Sequence, residues 1–330
     1  MKQFLQKKAK LVFLCMLVLL TCTACANPRG RDGKTLADQI IASEETTIDA
    51  SKINYKDISD KKLKKEIKKN IKDGEYTIQP TTFKDSMSKG WFEGLIVWPI
   101  AQIINLISSK TDAGVGIILT TLLIQMLVFV FTRKSQMSTQ RMQEISPEIQ
   151  KIQNKYKDKT DERSKLQMAQ EMQNLYQKYD IHPFGSMLIT FIQLPIMMGM
   201  YYATMRSVSV VSGSFMGISL AGTPLDGFKA FDIAYIAIYV LMVIFYIISM
   251  KLPQWLKKWQ DKKDHVKVKK YAQPETNPMA NSMNMSMYFM TAMICIMYIS
   301  WPMAMSFYWL VSSVIRVCQS LILHQVMNKK

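Results

Sequence analysis

The chain has 330 residues, a formal net charge of +17 and a mean hydropathy of +0.02, an average of polar segments and long apolar runs that describes neither. Its basic residues sit between apolar runs, the placement found in membrane proteins rather than on a nucleic-acid-binding face. Five cysteines (Cys15, Cys22, Cys25, Cys295, Cys318) and three scattered histidines (His182, His265, His324) form no disulfide framework and no metal-ligand spacing, so neither a metal nor another cofactor is expected.

Lys2, Lys7, Lys8 and Lys10 precede the apolar run Leu11–Leu20, which has the layout of a signal peptide over residues 1–24 and is too short to span a bilayer comfortably. Cys22-Thr23-Ala24-Cys25 is similar to a lipobox, although Cys22 stands where that pattern usually has Leu. Cys25 is the expected lipidation site, carrying a thioether-linked diacylglycerol, with an uncleaved anchor as the alternative. Residues 25–89 then read as a lipidated extracytoplasmic tether, too polar, lysine-rich and poor in aromatics to bury much of a core. Within it, Asp60–Lys72 reads as one basic helix with a thin stripe of Leu63, Ile67 and Ile71, solvated or resting on lipid.

Residues 90–330 read as a five-span membrane domain. Gly90–Ser108, with Trp91, Phe92, Trp98 and Ile103 among polar positions, predicts an amphipathic helix on the outer surface. Apolar stretches follow at about Ala113–Thr132, Pro183–Thr204, Phe231–Met250, Met283–Trp301 and Pro302–Val326, each near the length needed to cross the hydrocarbon. The loop after the first holds ten Lys/Arg, and Lys251–Lys270 after the third holds eight. The other two connections are nearly free of them, with Arg206 and Lys229 at the edges of one. The basic loops are therefore cytoplasmic, the mature N-terminus is outside and the C-terminus inside.

The first cytoplasmic segment, residues 134–182, predicts a helical hairpin. Ser146-Pro147-Glu148 is a helix start with Ser as the cap. Ile149, Ile152 and Tyr156 mark one stripe, Met168, Met172, Leu175 and Tyr179 a second, and Lys157–Asp161 the turn between them. The second segment, residues 251–282, begins with tryptophans and lysines suited to a bilayer surface and is expected to be flexible from residue 260.

Several stretches carry a resemblance: Gly116–Ile124 in the first span, Gln143–Gln153 at the hairpin start, and His182-Pro183-Phe184-Gly185 with Ile192-Gln193-Leu194-Pro195-Ile196 and Tyr201-Tyr202-Ala203 in the second. Phe307–Ser313 and Gln319 add to it in the last. Over roughly residues 90–327 their order and spacing resemble the YidC-type membrane protein insertases, bacterial relatives of the mitochondrial and chloroplast insertases, in their Gram-positive, lipoprotein-type form. The resemblance implies an all-α integral membrane protein. Five transmembrane helices would enclose a hydrophilic groove open to the cytoplasm and to lipid. It implies a non-enzymatic insertase and chaperone in the bacterial cell membrane, acting alone or with the Sec translocon. Its partners would be nascent membrane proteins, the bilayer, and a ribosome or signal-recognition receptor met by the basic cytoplasmic segments, without sequence-specific nucleic acid binding.

That family usually places an arginine facing the groove in the first span, where this chain has Gln125. Gln125 is read either as a groove residue or as interhelical polar glue. Arg316, two turns after Trp309 on the same face, either moves the charge into the fifth span or snorkels to the cytoplasmic interface. Gln193, Pro195, Met197 and Trp309 complete the expected groove, Pro195 by interrupting its helix and Met197 as an adaptable surface, although kinking alone accounts for the first and gap-filling core is the commoner role of any one such methionine. A small transporter or channel is the alternative function. It lacks the repeats and intramembrane acids that would favour it, and no catalytic constellation is present for an enzyme.

Overall fold

The structure is a computed structural model that describes residues 28–157, 159, 161–181, 184–263, 289, 291–293 and 295–328. The signal and Cys25 lie outside these residues. Two compact units divide the chain. One combines the residues up to Thr120 with Leu194–Gly222 and Pro302–Met305, and the other takes Thr121–Gln193, Thr223–Trp301 and the residues from Ser306 onward.

In the first unit, β1 (Thr35–Leu36) pairs in parallel with β3 (Ile53–Asn54), and β2 (Thr46–Asp49) runs antiparallel to β4 (Glu75–Ile78), with Thr46 opposite Ile78. Helix α1 (Lys61–Asn70) precedes β4, and the Asp60 carboxylate accepts from the backbone N–H of Lys62 and Leu63 at its start. Ala37, Ile40, Ala42, Ile48, Ile53, Ile58, Ile67 and Ile78 are buried in one cluster, and Leu63 packs against it. The segment therefore does bury a core, against the expectation of a tether too polar to do so. Its few isoleucines are placed inward, and Val208 and Val211 complete the cluster from far along the chain. Composition of the segment alone does not reveal that contribution. The predicted stripe of α1 is real, but it faces this core rather than solvent or lipid. Buried Asn54 donates to both Asp32 and Asp57 at 2.8 Å and accepts from the N–H groups of Lys56 and Asp57. Gly30 leaves the space for it, since a Cβ there would lie 2.0 Å from Asn54 Nδ2.

A short helix α2 (Phe83–Lys89), started by a Thr82–Asp85 capping box, ends at Gly90, and the predicted surface helix Gly90–Ser108 then forms as a π-helical turn at Glu93–Val97 followed by α3 (Trp98–Ser108). Phe92, Val97, Ile100, Ala101 and Ile104 are buried, whereas Trp91, Leu95 and Leu106 are exposed, so the stretch is two-faced as its sequence indicates. Asn105 joins it to the sheet region by donating to the Ile41 carbonyl at 2.9 Å and accepting from the Ser207 hydroxyl at 2.5 Å.

Long helices carry the rest. They are α4 (Ala113–Glu144), α7 (Phe184–Arg206), α10 (Ile233–Lys263) and α11 (Met303–Asn328), with the short α8 (Val208–Ser212) and α9 (Pro224–Ala230) between α7 and α10 in the chain. Among the described residues, three helices are long and apolar enough to cross a membrane, within α4, α10 and α11. The second predicted span corresponds to the 23-residue α7, which continues through Pro195. The fourth falls partly outside the described residues; within it, residues 289, 291–293 and 295–298 are helical. Helices α4 and α10 run past the predicted span ends, because good helix formers follow the apolar run in each. Lys251–Trp259, predicted to begin a surface loop, continues α10 through Pro253.

In the second unit, α5 (Ser146–Lys155) and α6 (Glu162–Lys178) pack on each other around Ile145, Leu175 and Ile181, with Ile149, Ile152 and Tyr179 alongside. Ile145, not Ser146, occupies the capping position, because the chain leaves α4 by a single-residue bend and Ser146 already has helical geometry. Asp161 caps α6 by accepting from the Ser164 N–H at 2.8 Å. Across the pair, Tyr179 donates to Glu148 at 2.6 Å. Lys155 and Tyr156 both bond Glu171, which holds that carboxyl below its usual range.

Candidate functional site: a polar cavity in the second unit

A cavity of about 220 Å³ lies within the second unit. Each helix that lines it presents one face at helical spacing. Helix α4 supplies Gln125 and Val128, then Gln136, Thr139 and Gln140; α7 supplies Ile189 and Gln193; α10 supplies Ser249 and Pro253. Arg316, Gln319, Ser320 and Leu323 come from α11 at intervals of three, four and seven. Eight of its thirteen described lining residues carry uncharged hydrogen-bonding groups, although carbon makes up most of the surface they expose; among the described residues Arg316 is the single charged side chain and no acid lines the cavity. Amide and hydroxyl groups of this kind can both donate and accept hydrogen bonds, to water or to another polar chain.

Three of the expected residues meet here. Gln125 is buried and donates to Ser312 Oγ at 3.2 Å, so it bridges α4 to α11 while also lining the cavity. Gln193 donates to the Tyr308 hydroxyl at 3.1 Å, tying α7 to α11. Arg316 donates to Ser313 Oγ at 2.8 Å, and its guanidinium carbon sits 5.8 Å from the centroid of the Trp309 ring. Both partners precede it in α11, so the side chain runs back along the helix, away from the C-terminal end that snorkelling would seek.

Trp309 is not among the residues that line the cavity. It is buried, stacked on Tyr298 at 5.0 Å, and met edge-on by Tyr246 and Tyr308 at 6.4 and 5.5 Å. Pro195 and Met197 are not among the lining residues; they are half-buried in α7 and belong to the first unit.

The sequence reading passed over Gln136, Thr139, Gln140, Ser320 and Pro253. The first three were readable as a continuation of the Gln125 face once α4 is known to run to Glu144. Pro253 lacks the N–H that would bond the carbonyl four residues back, which is that of Ser249, and the two sit together on the cavity wall. No group of three or more His, Cys, Asp or Glu able to hold a metal occurs among the described residues.

The sequence pattern of the family described as "60Kd inner membrane protein" matches residues 105–330. The chain is 30% identical over 237 residues to membrane protein insertase YidC 1 of Streptococcus pyogenes serotype M6, covering 72% of this chain and 75% of that one. It is likewise 30% identical to membrane protein insertase YidC of Enterococcus faecalis, covering 72% and 76%. To membrane protein insertase MisCA of Bacillus subtilis it is 26% identical over 238 residues, covering 72% and 80%.

Proposed function

Because the chain belongs to the 60Kd inner membrane protein family, we propose that it is a membrane protein insertase whose second-unit cavity receives polar parts of nascent membrane proteins. The observation that carries this reading is the lining itself: glutamine, serine and threonine on the inner faces of helices with apolar outer surfaces, plus one cation and no acid among the described residues. Moving a polar segment through hydrocarbon costs several kilocalories per unsatisfied group. A hydrated wall reaching partway into the membrane shortens that path, while the apolar part of the substrate leaves along the lipid-facing helices. Leu122, Leu123, Met126, Leu127, Val130 and Phe131, exposed on α4, provide such an apolar face. No covalent step is needed.

In this reading the chain crosses the membrane five times, with Cys25 lipidated outside and α5–α6 forming a basic cytoplasmic hairpin. That hairpin meets the ribosome or a signal-recognition receptor. The protein assists folding of its substrates and works alone or beside the Sec translocon. Photo-crosslinking from positions 125, 193 and 316 during synthesis of a single-span membrane protein tests the reading. Adducts are expected at all three, and their absence at all three overturns it.

A further inference from the structure

Arg316 lies in a helix able to cross a membrane, yet none of the ion pairs among the described residues includes it. A guanidinium placed so ordinarily escapes to the interface by snorkelling. Here it is turned inward, onto the Ser313 hydroxyl and the face of Trp309. The indole is itself fixed by its buried position, by the stack with Tyr298, and by the edges of Tyr246 and Tyr308. An aromatic face attracts a cation through its quadrupole but carries no net charge. A carboxylate in the same place would neutralise the arginine.

We infer that Trp309, braced by Tyr298, is the positioning residue of Arg316: it holds the cation at the cavity wall and leaves its charge unneutralised for an incoming anionic group. The inference rests on the cavity reading above and adds what makes the charge usable. Tyr298 does the same work at one remove, because its ring covers the indole that Arg316 faces.

The test uses the full-length protein in proteoliposomes and a single-span substrate made with an acidic or a neutral translocated tail. The readouts are the ratio of the two insertion yields and the rate at which phenylglyoxal modifies Arg316, followed on the isolated peptide. Trp309→Leu and Tyr298→Leu are expected to lower the acidic-to-neutral ratio by about three- to tenfold and to speed the modification, while Trp309→Tyr keeps the ratio within about twofold of the parent. Equal losses on both tails with an unchanged modification rate would make Trp309 ordinary packing and overturn the inference. Where Trp309→Leu fails to fold, Tyr298→Leu is read by the same criterion. Arg316→Gln separates the two levels. If it leaves the ratio unchanged, the cavity reading fails. If it abolishes the ratio while Trp309→Leu preserves it, only the positioning role fails.

Discussion

Arg206, the last residue of α7, is 2% exposed and forms an ion pair with Glu93 in the π-helical turn, while its Nε donates to the Gln39 carbonyl at 2.7 Å. One arginine thus ties three separate stretches of the first unit. Its backbone adds to the tie, since the Ile41 N–H donates to the Arg206 carbonyl at 2.6 Å and the Val208 N–H to that of Ile41 at 3.0 Å. Breaking a buried pair by removing one partner leaves an uncompensated charge, at a cost of about 3–5 kcal/mol. Arg206→Met alone is therefore expected to lower the unfolding temperature sharply. Arg206→Met combined with Glu93→Leu should recover much of the loss. Thermal unfolding of the detergent-solubilised protein measures both, and a double variant no better than the worse single one contradicts the account.

The docking of α1 makes a second prediction. Ile67 is 3% exposed and contributes to the cluster that Val208 and Val211 complete, so truncating it leaves a cavity in a small core. Ile67→Ala is expected to cost about 2–5 kcal/mol. Limited proteolysis should then cut within residues 28–82 far faster than in the parent. Lys65→Ala, on an exposed position of the same helix, should leave the rate unchanged. Cleavage of the parent as fast as the Ile67 variant would mean that this core does not hold the segment closed.

These two cases mark where sequence reasoning reached and where it stopped. Helix positions in the membrane domain were legible because apolar runs of about twenty residues have few other uses. Gln125, Gln193 and Arg316 were legible as polar groups that an apolar helix does not carry without cause. The core around Ile67 was not, because its partners Val208 and Val211 lie some 140 residues away and inside a different apolar pattern. Arg206 was read as a loop charge for the same reason: its partner Glu93 sits 113 residues earlier. The full extent of α4 was missed because hydropathy ends at the membrane boundary, whereas helix propensity does not. Pro195 and Met197 were read as groove residues from helix interruption and side-chain adaptability, and neither is among the residues that line the cavity.

Strong acid should loosen the α5–α6 pair. Glu171 accepts from Lys155 and Tyr156, and those bonds, Lys155 first, hold its carboxyl below the usual range. The same contact holds the Lys155 ammonium above its ordinary range. A lowered carboxylate contributes fully above its unfolded value and is lost as pH falls through the lowered one. A raised ammonium contributes below its unfolded value and is lost as pH rises through the raised one. The pairing is therefore expected to be flat between the ordinary carboxylate and lysine ranges and to weaken at either end. Both side chains are exposed, so the effect is small and salt-sensitive. A spin-label pair on α5 and α6 should show the distance distribution broadening on acidification, and Glu171→Gln should show that broadening already at neutral pH. A distribution for Glu171→Gln identical to the parent's would remove the pair from the account.

The last prediction concerns where the cavity's charge sits. Gln125 and Arg316 line the same cavity from α4 and α11, and by the sequence resemblance the first would stand where the YidC-type family usually has arginine. If one cation on the wall is what an acidic substrate needs, its helix of origin is secondary. Arg316→Gln is expected to reduce insertion of an acidic-tailed substrate by about tenfold, a loss on the scale of one charge-assisted hydrogen bond. Adding Gln125→Arg to that variant should restore most of the yield, because an arginine at 125 opens onto the same space. Gln125→Arg alone puts two cations on one wall with no acid beside them, and like charges at close range oppose each other. That single variant should insert the acidic substrate no better than the parent and should unfold at lower temperature. Failure of the double variant to recover, with normal folding in detergent, would show that the contacts of Arg316 with Trp309 and Ser313 matter as much as its charge, and that the two positions are not interchangeable.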